Sequence, residues 1–203
     1  MLYCSRCGQA LPPGWRFCPE CLPDPAEGSS RREANLCLLL GNFSLAHRHP
    51  QLAALFYRTA LEIDPASWEA FFNLGCQAWQ QGDVDRALAF WEASLKLNPD
   101  NYLAHFNLGT YFLYTRNLSA ARYHLTRVRR LKPGFLEGRI NLGTTYLLLG
   151  LLEASRREYT FVLERAPEHR GARRGLTLVN KAIAAGRRGK GRSSTHIHSV
   201  PGF

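Results

Sequence analysis

The sequence predicts an all-α repeat protein with a small metal-binding module at its N-terminus. The tripeptide Asn-Leu-Gly recurs every 34 residues, at 73–75, 107–109 and 141–143. A fixed period of this length is typical of stacked helical repeats. The first 21 residues hold two Cys-X-X-Cys pairs, and the remaining sequence holds two further cysteines. The repeat and the paired cysteines therefore indicate two separate structural parts.

The composition is that of a soluble globular chain with a real core. Of 203 residues, 45% are hydrophobic and 21% are charged, which excludes wholesale disorder. No apolar run reaches the roughly 18 residues that a membrane-spanning helix needs. The N-terminus also lacks the basic and then apolar pattern of a secretory signal. We therefore expect a cytoplasmic protein with no membrane partner.

The net charge of +10 is concentrated near the C-terminus. Residues 1–33 carry four basic and four acidic residues, and residues 34–169 carry fourteen and twelve. Residues 170–203 carry eight basic residues and no acidic one. An acidic partner such as nucleic acid is therefore expected to contact residues 170–203 and not the repeats.

The four N-terminal cysteines, Cys4, Cys7, Cys18 and Cys21, form two hooks separated by ten residues. In a chain without a secretion signal this spacing indicates metal before disulfide. Four thiolates complete the tetrahedral set that Zn²⁺ prefers and leave no position for water. We expect one structural zinc ion. The alternatives are a redox dithiol pair, which belongs in a βαβ setting that is absent here, and unliganded thiols.

The cysteine segment resembles the short zinc-ribbon of many bacterial proteins. The matching elements are Gly8, the turn at 11–14 and Phe17-Cys18-Pro19, whereas Leu22 stands where the pattern usually has glycine. Residues 1–22 are assigned to this ribbon, and residues 23–33, rich in Pro, Ser, Gly and charge, to a linker. Whether the ribbon contacts nucleic acid or protein, or caps a neighbouring domain, stays open.

The repeat resembles the tetratricopeptide repeat, because prolines recur with the same 34-residue period and a Leu40-Gly41 pair extends the register upstream. Those prolines are Pro65, Pro99, Pro133 and Pro167. The resemblance implies an α-solenoid of four helix-turn-helix repeats, at 34–67, 68–101, 102–135 and 136–169. Positions within a repeat are counted from its first residue. The departures are Cys37, His105 and Arg139 at position 4, where the family often has an aromatic, and Ser155 at position 20, where it has alanine.

Local signals support the helix boundaries. Asp83 and Asn117 are suited to cap the helices that follow them, and Pro50 is suited to the first turn of its helix. Beyond the fourth repeat, apolar residues at 172, 176, 179 and 183 predict a capping helix over residues 170–185. The Gly, Ser and basic content of residues 186–203 predicts a disordered tail.

One face of the first helix of each repeat is the candidate binding site. Positions 2, 6, 9 and 13 lie opposite the side that packs on the second helix. In tetratricopeptide arrays this stripe lines a concave groove that holds an extended peptide. The residues singled out there are Asn42, Asn73, Asn107, Thr110, Tyr114, Asn141 and Thr144.

Asparagine at position 6 is the central feature of that stripe. Its amide can donate to a peptide carbonyl and accept from a peptide N–H, and the row resembles the asparagine ladder of O-linked N-acetylglucosamine transferases. The alternative is that the asparagines serve only packing or solubility. The stripe has no Lys or Arg, so the carboxylate clamp of co-chaperones is absent. Its charges are Glu69 and Glu137, which favour neutral or basic peptides.

These features predict a non-enzymatic adaptor that binds a protein or peptide partner in the groove. The alternative is a nucleic-acid-associated factor that uses the zinc-ribbon and residues 170–203. A small enzyme is disfavoured because the sequence holds no catalytic constellation, and no small-molecule substrate is expected.

Overall fold

The all-α fold is confirmed over the part of the chain that the structure describes. The computed structural model describes residues 25–193, and the side chains of residues 30–185. These residues form nine helices and no strand: α1 (Pro25–Ala46), α2 (Pro50–Ile63), α3 (Trp68–Gln80), α4 (Val84–Leu97), α5 (Tyr102–Tyr114), α6 (Leu118–Leu131), α7 (Leu136–Leu148), α8 (Leu152–Arg165) and α9 (Arg170–Ser193). The predicted zinc-ribbon and its four cysteines lie outside the described residues.

The chain divides into two compact units, Met1–Pro99 and Asp100–Phe203. The first unit holds α1–α4 and the second holds α5–α9. Helices α3, α5 and α7 begin at Trp68, Tyr102 and Leu136, so the 34-residue period of the sequence is also the period of the helix pairs.

The core of the first unit joins α1, α2 and α3. It combines four alanines with three larger side chains: Ala34, Leu38, Ala53, Tyr57, Ala60, Ala70 and Leu74. Gly75 has a packing reason to lack a side chain, because a Cβ there would lie 2.6 Å from Cδ1 of Trp91. The close approach of α3 and α4 therefore offsets the roughly 1 kcal/mol that glycine costs inside a helix.

Two buried clusters are described in the second unit. One joins α6 and α7 through Ala121, Leu125 and Leu142. The other joins α8 and α9 through Tyr159, Val162, Ala172 and Val179. Ser155, which replaces the usual alanine at position 20, donates to the carbonyl of Gly143 at 2.7 Å, so its hydroxyl is satisfied in the tight interface.

The predicted caps are confirmed. The Asp83 carboxylate accepts from the N–H of Arg86 at 3.2 Å, and the Asn117 side chain accepts from the N–H of Ala120 at 3.2 Å. Pro50 is the first residue of α2. These side chains satisfy backbone donors that a helix start leaves unpaired.

Two boundary predictions are wrong. Residues 25–33, predicted as linker, belong to α1, and residues 186–193, predicted as disordered, belong to α9. Pro25 suits a first helical position. Ala, Glu and Arg in residues 25–33, and Arg and Lys in residues 186–193, have high helix propensity. Each stretch extends a helix that tertiary packing already holds, so it does not bear the cost of nucleation.

Candidate functional site

The predicted binding residues of the first unit lie on α1 and α3 and are hydrogen-bonded to each other. Oδ1 of Asn42 accepts from Nδ2 of Asn73 at 3.3 Å. The same oxygen accepts from the Tyr57 hydroxyl at 2.7 Å. Asn42 is exposed, and Asn73 is half-buried. The two residues therefore lie together on the surface, with part of their hydrogen-bonding capacity used within the unit.

The second unit repeats this arrangement with a hydroxyl in place of one amide. Nδ2 of Asn141 donates to Oγ1 of Thr110 at 2.9 Å. Oγ1 of Thr144 donates to the carbonyl of Ile140 at 2.9 Å. The Tyr159 hydroxyl lies 2.8 Å from that same Oγ1, and it donates, since the threonine proton is already committed. Of the remaining predicted residues, Asn107 is half-buried on α5 and Tyr114 is exposed at the end of α5.

The same contact between successive repeats thus occurs within each unit. The amide at position 6 donates to the side chain at position 9 of the preceding repeat, 31 residues earlier. An asparagine side chain offers two N–H donors and one carbonyl. This contact uses one N–H of Asn73 and one of Asn141, so one N–H and the carbonyl of each amide can still pair with a peptide backbone.

In each unit a buried phenol bonds to a side chain at position 9: Tyr57 to Asn42 and Tyr159 to Thr144. Burial raises the pKa of Tyr57, and the nearby Cys76 adds to the effect. Burial also raises the pKa of Tyr159, against the opposing effect of its hydrogen bond to Thr144. Both phenols are therefore protonated at neutral pH and act as donors. The floor of each site is neutral.

Sequence reasoning missed a paired substitution between positions 4 and 23, which bring the two helices of a repeat into contact. In the third repeat these positions hold His105 and His124, whose Nδ1 atoms lie 2.9 Å apart. Burial, together with His105, lowers the pKa of His124 to about 4. His124 is therefore neutral at physiological pH, and one hydrogen bond joins the two Nδ1 atoms.

In the fourth repeat the same two positions hold Arg139 and Glu158. Glu158 is buried, and its two oxygens accept at 2.8 Å from Arg139 and from Arg129. The Arg139 guanidinium also lies 3.5 Å from the centroid of the Phe161 ring. The arginine that departs from the family pattern is therefore held by a buried carboxylate and an aromatic ring.

The sequence carries a signal for these pairs in the form of a 19-residue spacing. In the second repeat the same spacing joins Phe71 and Phe90, whose ring centroids lie 6.3 Å apart. The pair is thus aromatic, imidazole or ionic in successive repeats. A comparison of positions 4 and 23 across the repeats would have matched His105 and Arg139 with their partners from the sequence alone.

Two of the four arginines of α6 form ion pairs. Arg127 lies 3.4 Å from the carboxylate of Asp100, Arg129 bonds to Glu158, and Lys132 lies 5.9 Å from the centroid of the Tyr102 ring. Arg122 and Arg130 are exposed and are the arginines of α6 that stay accessible to an anionic partner.

Neither a metal cluster nor a membrane span occurs within residues 25–193. These residues contain no group of three or more His, Cys, Asp or Glu side chains placed to hold a metal ion. None of the helices described between Pro25 and Ser193 has both the length and the apolar character to cross a membrane.

Comparison with protein families supports both resemblances. Residues 72–134 match the model of the tetratricopeptide repeat, and residues 3–21 match that of the zinc-ribbon domain. Comparison with curated proteins gives no match.

Solved structures agree with the family models. YrrB, described as a tetratricopeptide protein with an unusual peptide-binding site, is 21% identical, with a TM-score of 0.68 over 78% of this chain and 82% of that one. The first tetratricopeptide domain of Spaghetti (RPAP3), bound to the HSP90 peptide SRMEEVD, is 20% identical, with a TM-score of 0.55 over 60% and 96%.

An O-GlcNAc transferase variant from Thermobaculum terrenum is 16% identical, with a TM-score of 0.57, and the match covers 68% of this chain but 26% of that one. At these identities the likeness shows the fold alone. The described helices have the fold of a tetratricopeptide solenoid.

Proposed function

We propose that this protein is a non-enzymatic adaptor whose repeats bind an extended peptide segment of a partner protein. The observation that carries the proposal is the recurrence, in both units, of a surface amide at position 6 that keeps one N–H and its carbonyl available beside a neutral floor. An amide with one donor and one acceptor matches the alternating groups of an extended backbone. The peptide-binding description of YrrB and the peptide bound to RPAP3 support this use of the fold.

The charges indicate which peptides each unit favours. The bound HSP90 peptide carries three acidic residues, whereas the stripe at positions 2, 6, 9 and 13 has no Lys or Arg to receive them. Glu69 in the first unit and Glu137 in the second are the charges of that stripe. We therefore infer a preference for neutral or basic segments.

The test begins with a binding peptide selected from a displayed library against the full chain. The triple variant Asn73→Ala, Asn107→Ala and Asn141→Ala should weaken its binding by about 10- to 1000-fold, because each amide removed takes away about 0.5–1.5 kcal/mol. Asn180→Ala, an exposed amide on α9, is the control and should leave the dissociation constant unchanged.

A second variant separates binding from scaffolding. Thr110→Val removes the acceptor of the Asn141 amide but keeps that amide for a peptide. It should lower the melting temperature and leave affinity nearly intact. If the triple variant also lowers only the melting temperature, the asparagines serve the scaffold and the adaptor site lies elsewhere.

We also propose that Cys4, Cys7, Cys18 and Cys21 hold one structural Zn²⁺. The support is the match of residues 3–21 to the zinc-ribbon domain and the chemistry of four thiolates, which fits a closed tetrahedral zinc site. The ion would supply folding energy to a module too small to bury a sufficient core.

One observation favours a second candidate function, binding of nucleic acid through α9. The helix continues to Ser193 and its sequence carries eight basic residues and no acidic one. Arg170, Arg174 and Lys181 are exposed and share one side of the helix at 100° per residue. Within residues 30–185 none of these three forms an ion pair with an acidic side chain, unlike Arg173, which pairs with Glu168 at 2.6 Å.

The salt dependence of binding to a labelled RNA or DNA oligonucleotide tests this candidate. Changing Arg170, Arg174 and Lys181 to Gln should reduce the slope of log K against log salt by about one unit for each phosphate that is no longer neutralised. Truncation after Ala185 should reduce it further. Arg122→Gln with Arg130→Gln, two exposed residues of α6, is the matched control. An unchanged slope in the α9 variants would exclude this helix.

A further inference from the structure

The first helix presents an uncovered apolar face. We call Leu36, Leu40 and Phe43 the outer face of α1. They are 55%, 38% and 61% exposed, and spacings of four and three residues place them on one side of the helix. The core side of α1 is formed by Ala34 and Leu38, which pack with α2. None of the three outer-face residues belongs to the core cluster that joins α1 to α2.

The same positions are buried in later repeats. One period after the outer face lie Ala70, Leu74 and Gln77 of α3, which are at most 5% exposed. Ala70 and Leu74 belong to the cluster with α2, and Gln77 donates to the carbonyl of Pro50 on α2. Positions 3, 7 and 10 are thus where the preceding helix packs. In the first repeat the described part of the chain offers no such helix.

The residue types show that the missing cover is not another repeat. Where a helix covers position 3, the residue is small: Ala70 on α3, Gly138 on α7 and Ala172 on α9. A Cβ at Gly138 would already lie 2.6 Å from Cγ1 of Val128 on α6. Leu36 at this position would hold a helix off. A second copy stacked as a further repeat is therefore disfavoured, and the outer face calls for an occupant of another shape.

We propose that residues 1–24 of this chain dock on the outer face of α1. The segment joins α1 directly at Pro25, and Leu36 lies about 16 Å from there at 1.5 Å per residue. It carries two basic and two acidic residues, so its formal charge is zero. It also carries large apolar residues that can pack on the apolar outer face: Leu2, Tyr3, Leu11, Trp15, Phe17 and Leu22.

The physical reason for docking is that residues 1–24 and the outer face of α1 both carry apolar side chains that need to be covered. A module of about 20 residues cannot enclose its own apolar side chains, and an exposed apolar end of a repeat array needs a cap. Docking buries both. The proposal rests on the proposed zinc site, which would give the segment a fixed shape.

Photo-crosslinking in the full, zinc-loaded chain tests the docking. Benzoylphenylalanine in place of Leu36 should crosslink to residues 1–24, and mass spectrometry of mixed ¹⁴N and ¹⁵N chains should show the link within one chain. Benzoylphenylalanine in place of Leu55, an exposed residue of α2 at 57%, is the control and should not give that link. Crosslinks between chains, or none, would overturn the proposal.

A thermal measurement adds an independent readout. Removing zinc should lower the melting temperature of the helical signal by at least about 3 °C, which is the shift expected for about 1 kcal/mol in a chain of this size. Leu40→Gln with Phe43→Gln should at least halve that shift, whereas Leu52→Gln with Leu55→Gln on α2 should leave it unchanged. An equal shift in both double variants would contradict docking on the outer face.

Metal analysis separates this proposal from the zinc site. One zinc per chain without crosslinks means that the zinc site stands and the docking fails. Crosslinks in a chain that binds no zinc mean that residues 1–24 dock on the outer face and that the zinc site is wrong.

Discussion

Position 4 of each repeat shows how one residue and its partner decide the character of a helix pair. His105 and Arg139 depart from the aromatic preference of the family, yet each contacts position 23 of the same repeat. A polar residue at a buried position is tolerated only with a hydrogen-bonding partner. The two positions therefore have to change together.

The histidine pair makes stability depend on pH. The pKa of His124 is lowered to about 4 in the folded chain, against about 6.5 when unfolded. The folded state therefore binds fewer protons between these values, and its stability is present above pH 6.5 and falls as the pH falls toward 4.

Urea unfolding between pH 7.5 and 4.5 checks this expectation. The double variant His105→Phe with His124→Phe, which copies the Phe71 and Phe90 pair of the second repeat, is the control and should lose less stability over that range. Equal pH profiles for the two proteins would show that the pair does not titrate as described.

The ion pair gives a second prediction. Glu158→Ala leaves the guanidinium of Arg139, which is 13% exposed, without its carboxylate. Breaking a buried pair from one side costs about 3–5 kcal/mol. Arg139→Phe with Glu158→Phe, which again copies the pair of the second repeat, should cost less. The test is the denaturant midpoint of the unchanged protein, of Glu158→Ala and of the double variant. An equal loss of stability in both variants would mean that local packing, and not the charge pair, is responsible.

At the scale of the element, the turn between the two helices of each repeat imposes a left-handed residue at position 15. Arg48, Gly82, Arg116 and Gly150 have φ of 63°, 79°, 62° and 73°. The N–H of Gly150 donates to the carbonyl of Leu147 and that of Leu151 to the carbonyl of Tyr146, the pattern of a glycine C-cap. Arginine occupies this conformation at a cost that glycine avoids.

Exchanging residue types at position 15 measures that cost. Gly150→Ala should destabilise the chain by about 1 kcal/mol, and since nothing lies within 4 Å of a Cβ there, backbone strain is the whole effect. Arg116→Gly should stabilise it by a similar or smaller amount. Chemical denaturation at equal m-value provides the comparison, and a change of the same sign in both variants would contradict the strain argument.

The elements that the sequence predicts well are those whose signals repeat. Caps such as Asp83 and Asn117 are local, and the 34-residue period multiplies a weak pattern into a strong one. The ends of α1 and α9 were mispredicted because residues 25–33 and 186–193 contain Gly and Ser, which are common in linkers, and only packing of the adjoining helix decides that they extend it. Composition alone does not carry that information.

The sequence predicts where the candidate residues lie on their helices but not which hydrogen bonds they make. Helical periodicity places Asn73 and Asn141 on the surface of α3 and α7. Their bonds to Asn42 and Thr110 depend on how far one helix pair rotates on the preceding pair, which is a tertiary property. The Thr110→Val variant, which tests a scaffold function against a binding function, therefore depends on knowing the 31-residue contact.

At the scale of the whole molecule, zinc dependence is expected to be confined to the N-terminal segment. The buried residues of α1–α3 include Ala34, Tyr57 and Leu74, and none of the four ligand cysteines belongs to a described core. Chelation should release one zinc per chain and leave the far-UV helical signal at 25 °C nearly unchanged, even where it lowers the melting temperature by a few degrees.

The control is a chain lacking residues 1–24, cut before α1 begins at Pro25 so that no helix is shortened. It should bind no zinc and keep the helical signal per residue of the full chain, because each unit holds its own apolar core. Cooperative loss of that signal on chelation would mean that the ion supports the repeats themselves. In that case the metal would stabilise the whole fold and not only a terminal module.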